Sequence, residues 1–325
     1  MTYCALTEAY DLLRRGRGDA AEGDPLPTCV LICVCVAALC WVFQLFTGNC
    51  SHVDRLWSLL PGMYLSLMAR HELWAALQSL RPGSQHPPLN LRLLTQWVLV
   101  VGWGARLTFN FARKGGYSLS YEDYRWPVVR EVMPPALFQL FGLVFVALAQ
   151  NVLLLFLALP AAVAWSQGPA SSSTPRWQGL DTLALLLFLA ALAGEALCDE
   201  LQWMFQCRKR QLIMAQASRT GDLARGFLTT GPFRYSRHPS WFCELCIWCA
   251  FALFALSASG CTLHPVLLGP LALAALFQGS IWISELISLR RYPQAYRAYQ
   301  RVTSSFVPLP PSGRMPPAVP HPKRH

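Results

Sequence analysis

Seven apolar runs separated by short polar intervals set the plan of the chain: 28–47, 56–69, 91–112, 136–165, 180–205, 241–259 and 263–289. Most of them reach the roughly 20 residues that a helix needs to cross a hydrocarbon core of about 30 Å. The pattern therefore predicts an all-α fold, a polytopic transmembrane helical bundle of about seven spans. The second run is the short one, because Arg70, His71 and Glu72 interrupt it. It predicts a short or tilted span continued by an amphipathic helix to Leu80. The run 28–47 does not read as a cleaved signal, since it is long, Asp19, Glu22 and Asp24 precede it, and no small-residue cleavage pattern comes after it. Outside the runs lie a polar leader at 1–27, a Ser/Pro/Gly loop at 166–176 and a Pro-rich basic tail at 308–325. This divides the chain into a luminal or extracellular leader, a membrane domain at 28–307 and a cytosolic tail.

Composition agrees with the pattern. Only 14% of the residues are charged and 54% are hydrophobic, where an ordinary globular domain carries about a quarter charged residues. Such a chain cannot cover a soluble surface. A net charge of +10 would suit a nucleic-acid partner, but the basic residues sort by membrane side instead. With seven spans, 20 of the 27 Lys and Arg residues fall on one side and 7 on the other. The positive-inside rule then places the amino terminus outside or in the lumen and the carboxyl terminus in the cytosol. No nucleic-acid partner is expected. Of the twelve cysteines, Cys29, Cys33, Cys35, Cys40, Cys243, Cys246 and Cys249 lie within predicted spans, where cysteine acts as a small apolar residue. The C-x-x-C-x-x-C run at 243–249 has metal-like spacing, but steps of three drift around a helix and no histidine joins them, so no metal is expected.

Four polar clusters interrupt this apolar background, and charged groups in or beside a membrane need a partner, a wet cavity or a function. The first is His52-Val-Asp54-Arg55-Leu-Trp57-Ser58. The second runs from Trp103-Gly-Ala-Arg106-Leu-Thr-Phe-Asn110 through Arg113-Lys-Gly-Gly-Tyr117 to Tyr121-Glu-Asp-Tyr-Arg-Trp126. The third is Glu195-Ala-Leu-Cys-Asp199-Glu200-Leu-Gln202, and the fourth is 231–244, from Gly231 to Glu244. Under the topology above all four meet the same membrane face, which suits a soluble anionic cofactor meeting a lipid-dissolved substrate. Glu195, Asp199 and Gln202 stand at i, i+4 and i+7 and share one helix face. Arg234, Arg237 and His238 gather around Pro239 at a helix start, an arrangement that favours anions. Glu244 lies more than a turn inside the span and requires a donor. No Rossmann fingerprint, P-loop, G-x-S-x-G or H-E-x-x-H is present.

The segment G-P-F-R-Y-S-R-H-P-S-W-F-C-E-L-C-I-W resembles a carboxyl-terminal signature shared by steroid 5-alpha-reductase-like proteins, sterol reductases and isoprenylcysteine carboxyl methyltransferases. The upstream segments V-D-R-L-W-S, W-G-A-R-L-T-F-N, R-K-G-G-Y, E-D-Y-R-W and G-E-A-L-C-D-E-L-Q are similar to the uncharacterised branch of the steroid 5-alpha-reductase family. So is the ending that carries Tyr292, Tyr296 and Tyr299. The resemblance covers 28–310. It implies a seven-helix membrane reductase using NADPH, with cofactor contacts from Asp199, Gln202, Arg234, Arg237, His238, Trp241 and Glu244. Ser240, Trp241 and Cys243 depart from the Asn, Tyr and Gly usual in the signature.

The expected chemistry is NADPH-dependent reduction of a conjugated C=C bond in a hydrophobic lipid, of steroid, sterol or polyprenoid type. Charge building on the substrate carbonyl needs an acid, and Tyr117, Tyr121 and Tyr124 are the candidate catalytic donors, unranked by sequence. An S-adenosylmethionine-dependent methyltransferase sharing the terminal signature is one alternative, and a non-catalytic membrane scaffold descended from a reductase is another. The resemblance implies the endoplasmic reticulum as location.

Overall fold

The computed structural model describes residues 23–80, 89–167 and 177–317. The leader up to residue 22, the middle of the Ser/Pro/Gly loop at 168–176 and the tail end at 318–325 lie outside the described residues. Every described element is helical, apart from one isolated parallel bridge between Ser236 and Ser304. Five helices are long and apolar enough to cross a membrane: Pro25–Thr47, Pro135–Ser166, Gly179–Met214, Pro239–Ser259 and Pro265–Arg291. The protein is thus an all-α, polytopic membrane protein.

The two remaining apolar runs take other forms. The run at 56–69 is broken into His52–Leu56 and Leu60–Met68, and Arg70–Ser79 comes next as a separate ten-residue helix. Nine residues rise only about 14 Å, less than half a hydrocarbon core. The run at 91–112 is a continuous 23-residue helix, Leu91–Arg113, and is long enough to span. Its hydropathy is lowered by Arg92, Gln96 and Asn110, which are nevertheless buried. The positions are polar because they face protein rather than lipid.

The chain forms two compact units. The first comprises the described residues up to Phe188 together with Trp248–Leu273, and the second Leu189–Ile247 with the described residues from Ala274 onward. The division falls inside three of the long helices, where no change of composition marks it.

In the first unit, Pro25–Thr47 (α1) starts on Pro25 with Asp24 accepting from the Leu26 amide at 2.9 Å, and stops at Gly48 in the left-handed conformation, φ 68°. Only glycine adopts that conformation without strain. Its inward stripe is Cys29, Cys33, Ala37, Cys40 and Gln44, all buried at helical spacing. Tyr64 lies beside Cys33 and Asn151 beside Cys40. Facing Gln44 is Gly142, where a Cβ would overlap the glutamine amide. Gly142–Ala149 is a π-helical stretch within the long Pro135–Ser166 span, and Gln150–Ser166 beyond it is buried on nearly every side. An all-round apolar helix of this kind belongs at the centre of a unit. Leu91–Arg113 packs closely elsewhere in the unit, since a Cβ on Gly104 would lie 2.5 Å from the Ser58 carbonyl oxygen.

A buried ion pair pins one end of the first unit. Arg92 Nε and Nη2 donate to the two Asp181 carboxylate oxygens at 2.8 Å each, and Nη1 donates to Gln167 at 3.1 Å. Asp181 also accepts from the Gln178 amide at 2.8 Å. Glu72 accepts from the Asn90 amide, and the Asn90 side chain donates to the Ala164 carbonyl at 2.8 Å.

Candidate functional site

The carboxyl-terminal signature is built in the second unit. The turn before Pro239–Ser259 is fastened to the chain's last segment. The Arg237 amide donates to Ser304 O at 2.9 Å, Ser236 Oγ to Phe306 O at 2.7 Å, and the His238 amide to Ser236 Oγ at 3.1 Å. This explains why the Ser236 side chain is fully buried.

Glu285 organises the region, and its place in the sequence did not single it out. Arg237 grips it with two prongs, Nε to Oε1 at 2.7 Å and Nη2 to Oε2 at 3.0 Å. His238 Nε2 lies 3.3 Å from Oε1, Gln300 Nε2 donates to Oε2 at 2.7 Å, and Ser305 Oγ donates to Oε1 at 3.3 Å. Arg237 Nη1 turns the other way and donates to the carbonyls of Gln300 and Thr303. Four of the five N–H bonds of the guanidinium therefore have protein acceptors. Arg237 and His238 come together as expected, but Arg237 holds the signature turn in place and offers little to a ligand. The available signal was that Glu285 is the one acidic residue in the apolar run 263–289.

Aromatic rings extend the site. The His238 ring stacks on Trp241, centroids 4.9 Å apart and 16° from parallel, and Trp241 stacks on Phe277 at 5.6 Å and 12°. Trp241 therefore presents a flat ring platform between His238 and Phe277. Arg234 is exposed, and its carbonyl accepts from Thr303. Glu244 and Glu195 are buried, while Asp199 and Gln202 are partly exposed on the face shared with Glu195. Cys243 meets Gly194: a Cβ there would lie 3.0 Å from its sulfur. The bulk added at 243 is taken up by a helix that has no side chain opposite.

Neighbouring loops are made rigid by similar means. Lys209 is buried and donates to Gly226 O at 2.8 Å and Tyr292 Oη at 2.9 Å. Phe227 packs among Tyr292, Tyr296 and Tyr299, and the Tyr299 hydroxyl donates to Phe233 O. Burial pushes the Tyr299 pKa up, so this phenol keeps its proton. The tyrosines at the chain's end thus serve to dock Pro293–Val302.

The first two clusters meet within the first unit, where the turn 49–55 clamps the loop 118–123. Asn49 Nδ2 donates to Leu119 O at 3.3 Å and Tyr121 O at 2.8 Å, and Arg55 Nη2 donates to Ser118 O and Tyr121 O at 2.9 Å each. The Cys50 amide donates to Glu122, the Asp123 amide to Ser51 Oγ, and Trp126 Nε1 to Asp54 at 3.4 Å. Arg130 pairs with Glu122 at 2.7 Å and Arg125 with Asp123 at 2.7 Å. His52 accepts from Arg55 at 3.0 Å, and burial, then the Arg55 charge, lower its pKa. Asp54 retains some residue surface, yet its carboxyl is enclosed. Burial first, and the Asp123 charge second, raise its pKa.

The three candidate donor tyrosines belong to this loop. Tyr117 and Tyr124 are exposed, whereas Tyr121 is partly buried. Tyr117 and Tyr121 set edges against Phe111 at 5.1 and 5.5 Å. Burial, with the Asp123 and Asp54 charges after it, raises the Tyr121 pKa. Of the cysteines at 243–249, Cys249 is exposed and Cys246 partly so. Among the described residues no three His, Cys, Asp or Glu side chains converge as metal ligands do.

Comparison with known proteins gives relatives without an assigned role. A family profile described as "Protein of unknown function (DUF1295)" matches residues 40–303. An uncharacterized protein of Schizosaccharomyces pombe is 33% identical over 291 residues, covering 88% of this chain and 80% of that protein. No solved structure matches.

Proposed function

We propose, starting from the fact that this chain belongs to the DUF1295 family of proteins of unknown function, that it is a membrane-embedded reductase. It would use NADPH to reduce a conjugated C=C bond in a steroid, sterol or polyprenoid-like lipid. The observation that supports this best is the rigid signature turn, in which Glu285 locks Arg237 and His238 beside the Trp241–Phe277 stack. The residues present fit the cofactor's parts. Arg234 is exposed and offers a phosphate a charge-assisted partner. Asp199 and Gln202 suit ribose hydroxyls, and the Trp241 face suits a flat base. NADPH, when bound, supplies the hydride. Arg237 acts through position, by holding the turn that carries His238 and Trp241. Tyr117, Tyr121 and Tyr124 remain the proposed proton donors, unranked, since a phenol keeps its proton at neutral pH.

The test is NADPH oxidation by the purified protein offered enone lipids of all three classes, with Tyr117→Phe, Tyr121→Phe and Tyr124→Phe as controls. Turnover that fails across the three panels sinks the proposal. A second reading rests on the engagement of Arg237 by Glu285, which leaves less positive charge for phosphates. S-adenosylmethionine needs less and would place its ribose on the same Asp199 and Gln202. Thermal stabilisation by that cofactor but not by NADPH would select a methyltransferase, and stabilisation by NADPH without turnover a scaffold. We assign the protein to the endoplasmic reticulum with a cytosolic carboxyl terminus.

A further inference from the structure

Two thiols in the second unit lie against each other. Cys198, on Gly179–Met214, is 2% exposed, and Cys243, in the second turn of Pro239–Ser259, is partly exposed. Their side chains interact, and neither is in a disulfide. Gly194 sits one helical turn before Cys198 on the same face. Its missing side chain lets the Cys243 sulfur settle against that helix, 3.0 Å from where a Cβ would be. Other buried cysteines are placed differently. Cys33 lies beside Tyr64 and Cys40 beside Asn151, whereas burial holds Cys50 at a pKa of about 12. A disulfide holds its two sulfurs about 2.05 Å apart, and Cys198 is one helical turn from the glycine against which the Cys243 sulfur packs.

We propose that Cys198 and Cys243 form a reversible intramolecular disulfide when the protein meets an organic hydroperoxide, and so tie Gly179–Met214 to Pro239–Ser259 within the second unit. Cys243 reacts first because it is the more accessible. Its sulfur attacks the terminal oxygen of the hydroperoxide, the O–O bond breaks, and the thiol proton leaves with the alcohol, giving a sulfenic acid. The Cys198 sulfur then attacks that sulfur. The S–O bond breaks, the hydroxyl departs as water with the Cys198 proton, and the S–S bond forms. Two thiols lose two electrons, and the hydroperoxide is reduced to alcohol and water. Glu195 and Asp199 flank one sulfur in sequence, and Trp241 and Glu244 flank the other. The bond would fix the spacing of the backbone segments that carry them. The inference does not depend on the proposed reduction.

The experiment treats the full-length protein in detergent with tert-butyl hydroperoxide, blocks remaining thiols with N-ethylmaleimide and maps peptides without reduction. The expected result is a linked peptide pair joining Cys198 to Cys243, lighter by two hydrogens, dissolved by dithiothreitol, lost in Cys198→Ala and Cys243→Ala and kept in Cys246→Ala. The wild-type map stands even if a variant folds poorly. Full alkylation of both cysteines after treatment, linkage of Cys243 to a different cysteine, or oxidation of Cys243 without linkage would each overturn the proposal.

Discussion

Glu285→Ala takes the carboxylate away from Arg237, whose side chain is 8% exposed and cannot turn to water without leaving the signature turn. The guanidinium keeps the carbonyls of Gln300 and Thr303 but loses its counter-charge and its two-pronged bond. Removing one partner of a buried ion pair costs about 3–5 kcal/mol. Arg237→Ala should cost less, about 2–3 kcal/mol, because a hydrogen bond to a charged group contributes about 1.5–3 kcal/mol and Glu285 retains donors in His238, Gln300 and Ser305. The double variant removes both charges together, so its cost should fall short of the two singles' sum by about 2 kcal/mol. The assay is reversible unfolding in mixed micelles by increasing the mole fraction of sodium dodecyl sulfate, with tryptophan fluorescence as readout. Single effects that add to within about 0.5 kcal/mol would show that the pair is not coupled. A larger loss from Arg237→Ala than from Glu285→Ala would refute the assignment of Glu285 as the organising residue.

Asp181→Ala should cost about 3–5 kcal/mol in the same assay, since Arg92 is left buried without its carboxylate; a loss below about 1 kcal/mol would contradict the pair's role. Asp54 has a folded pKa above its unfolded value of about 3.9. The stability it contributes is therefore complete below that value and lost as pH rises through the raised folded pKa. Apparent melting temperatures of wild type minus Asp54→Asn should fall from about pH 4 upward, and a flat difference would refute the shift. Asn49-Cys50-Ser51 is a glycosylation sequon, but the Asn49 amide is bonded to Leu119 and Tyr121, so a glycan there and this fold exclude each other. Sequons engineered at 166–176 and at 308–325 should be modified in the former and not the latter; the reverse pattern would invert the proposed orientation.

Long apolar runs are legible in sequence because burial in lipid demands an unbroken stretch, and five of the seven expected runs became helices of full spanning character. The run at 56–69 is continuous in hydropathy, and the helix break between Leu56 and Leu60 is marked by Pro61, which sits in the first turn of Leu60–Met68. Polar residues inside membrane helices were also visible, and the signature did gather Arg237, His238 and Trp241 in one place. What sequence could not supply was partnership. Arg237 finds its carboxylate 48 residues further on, a pairing that no local spacing encodes. Likewise the first cluster read as a candidate site, whereas Asn49 and Arg55 hold the loop at 118–123 through its backbone carbonyls, which are the same in every sequence.

The π-helical stretch Gly142–Ala149 acts as a phase shifter in the long span that contains it. Each wider turn takes in one residue more than an α-turn, and one residue corresponds to about 100° of rotation. The helix beyond the stretch is thereby indexed so that Asn151 meets Cys40 in the protein interior rather than the surrounding lipid. Deleting a single residue between 142 and 149 would leave hydropathy and length almost unchanged, yet it would swing that asparagine away from its thiol and present a different edge of the central helix to every neighbour. The stretch is therefore sensitive to residue number more than to residue type, and an insertion or deletion there does damage that the mildest substitution would not.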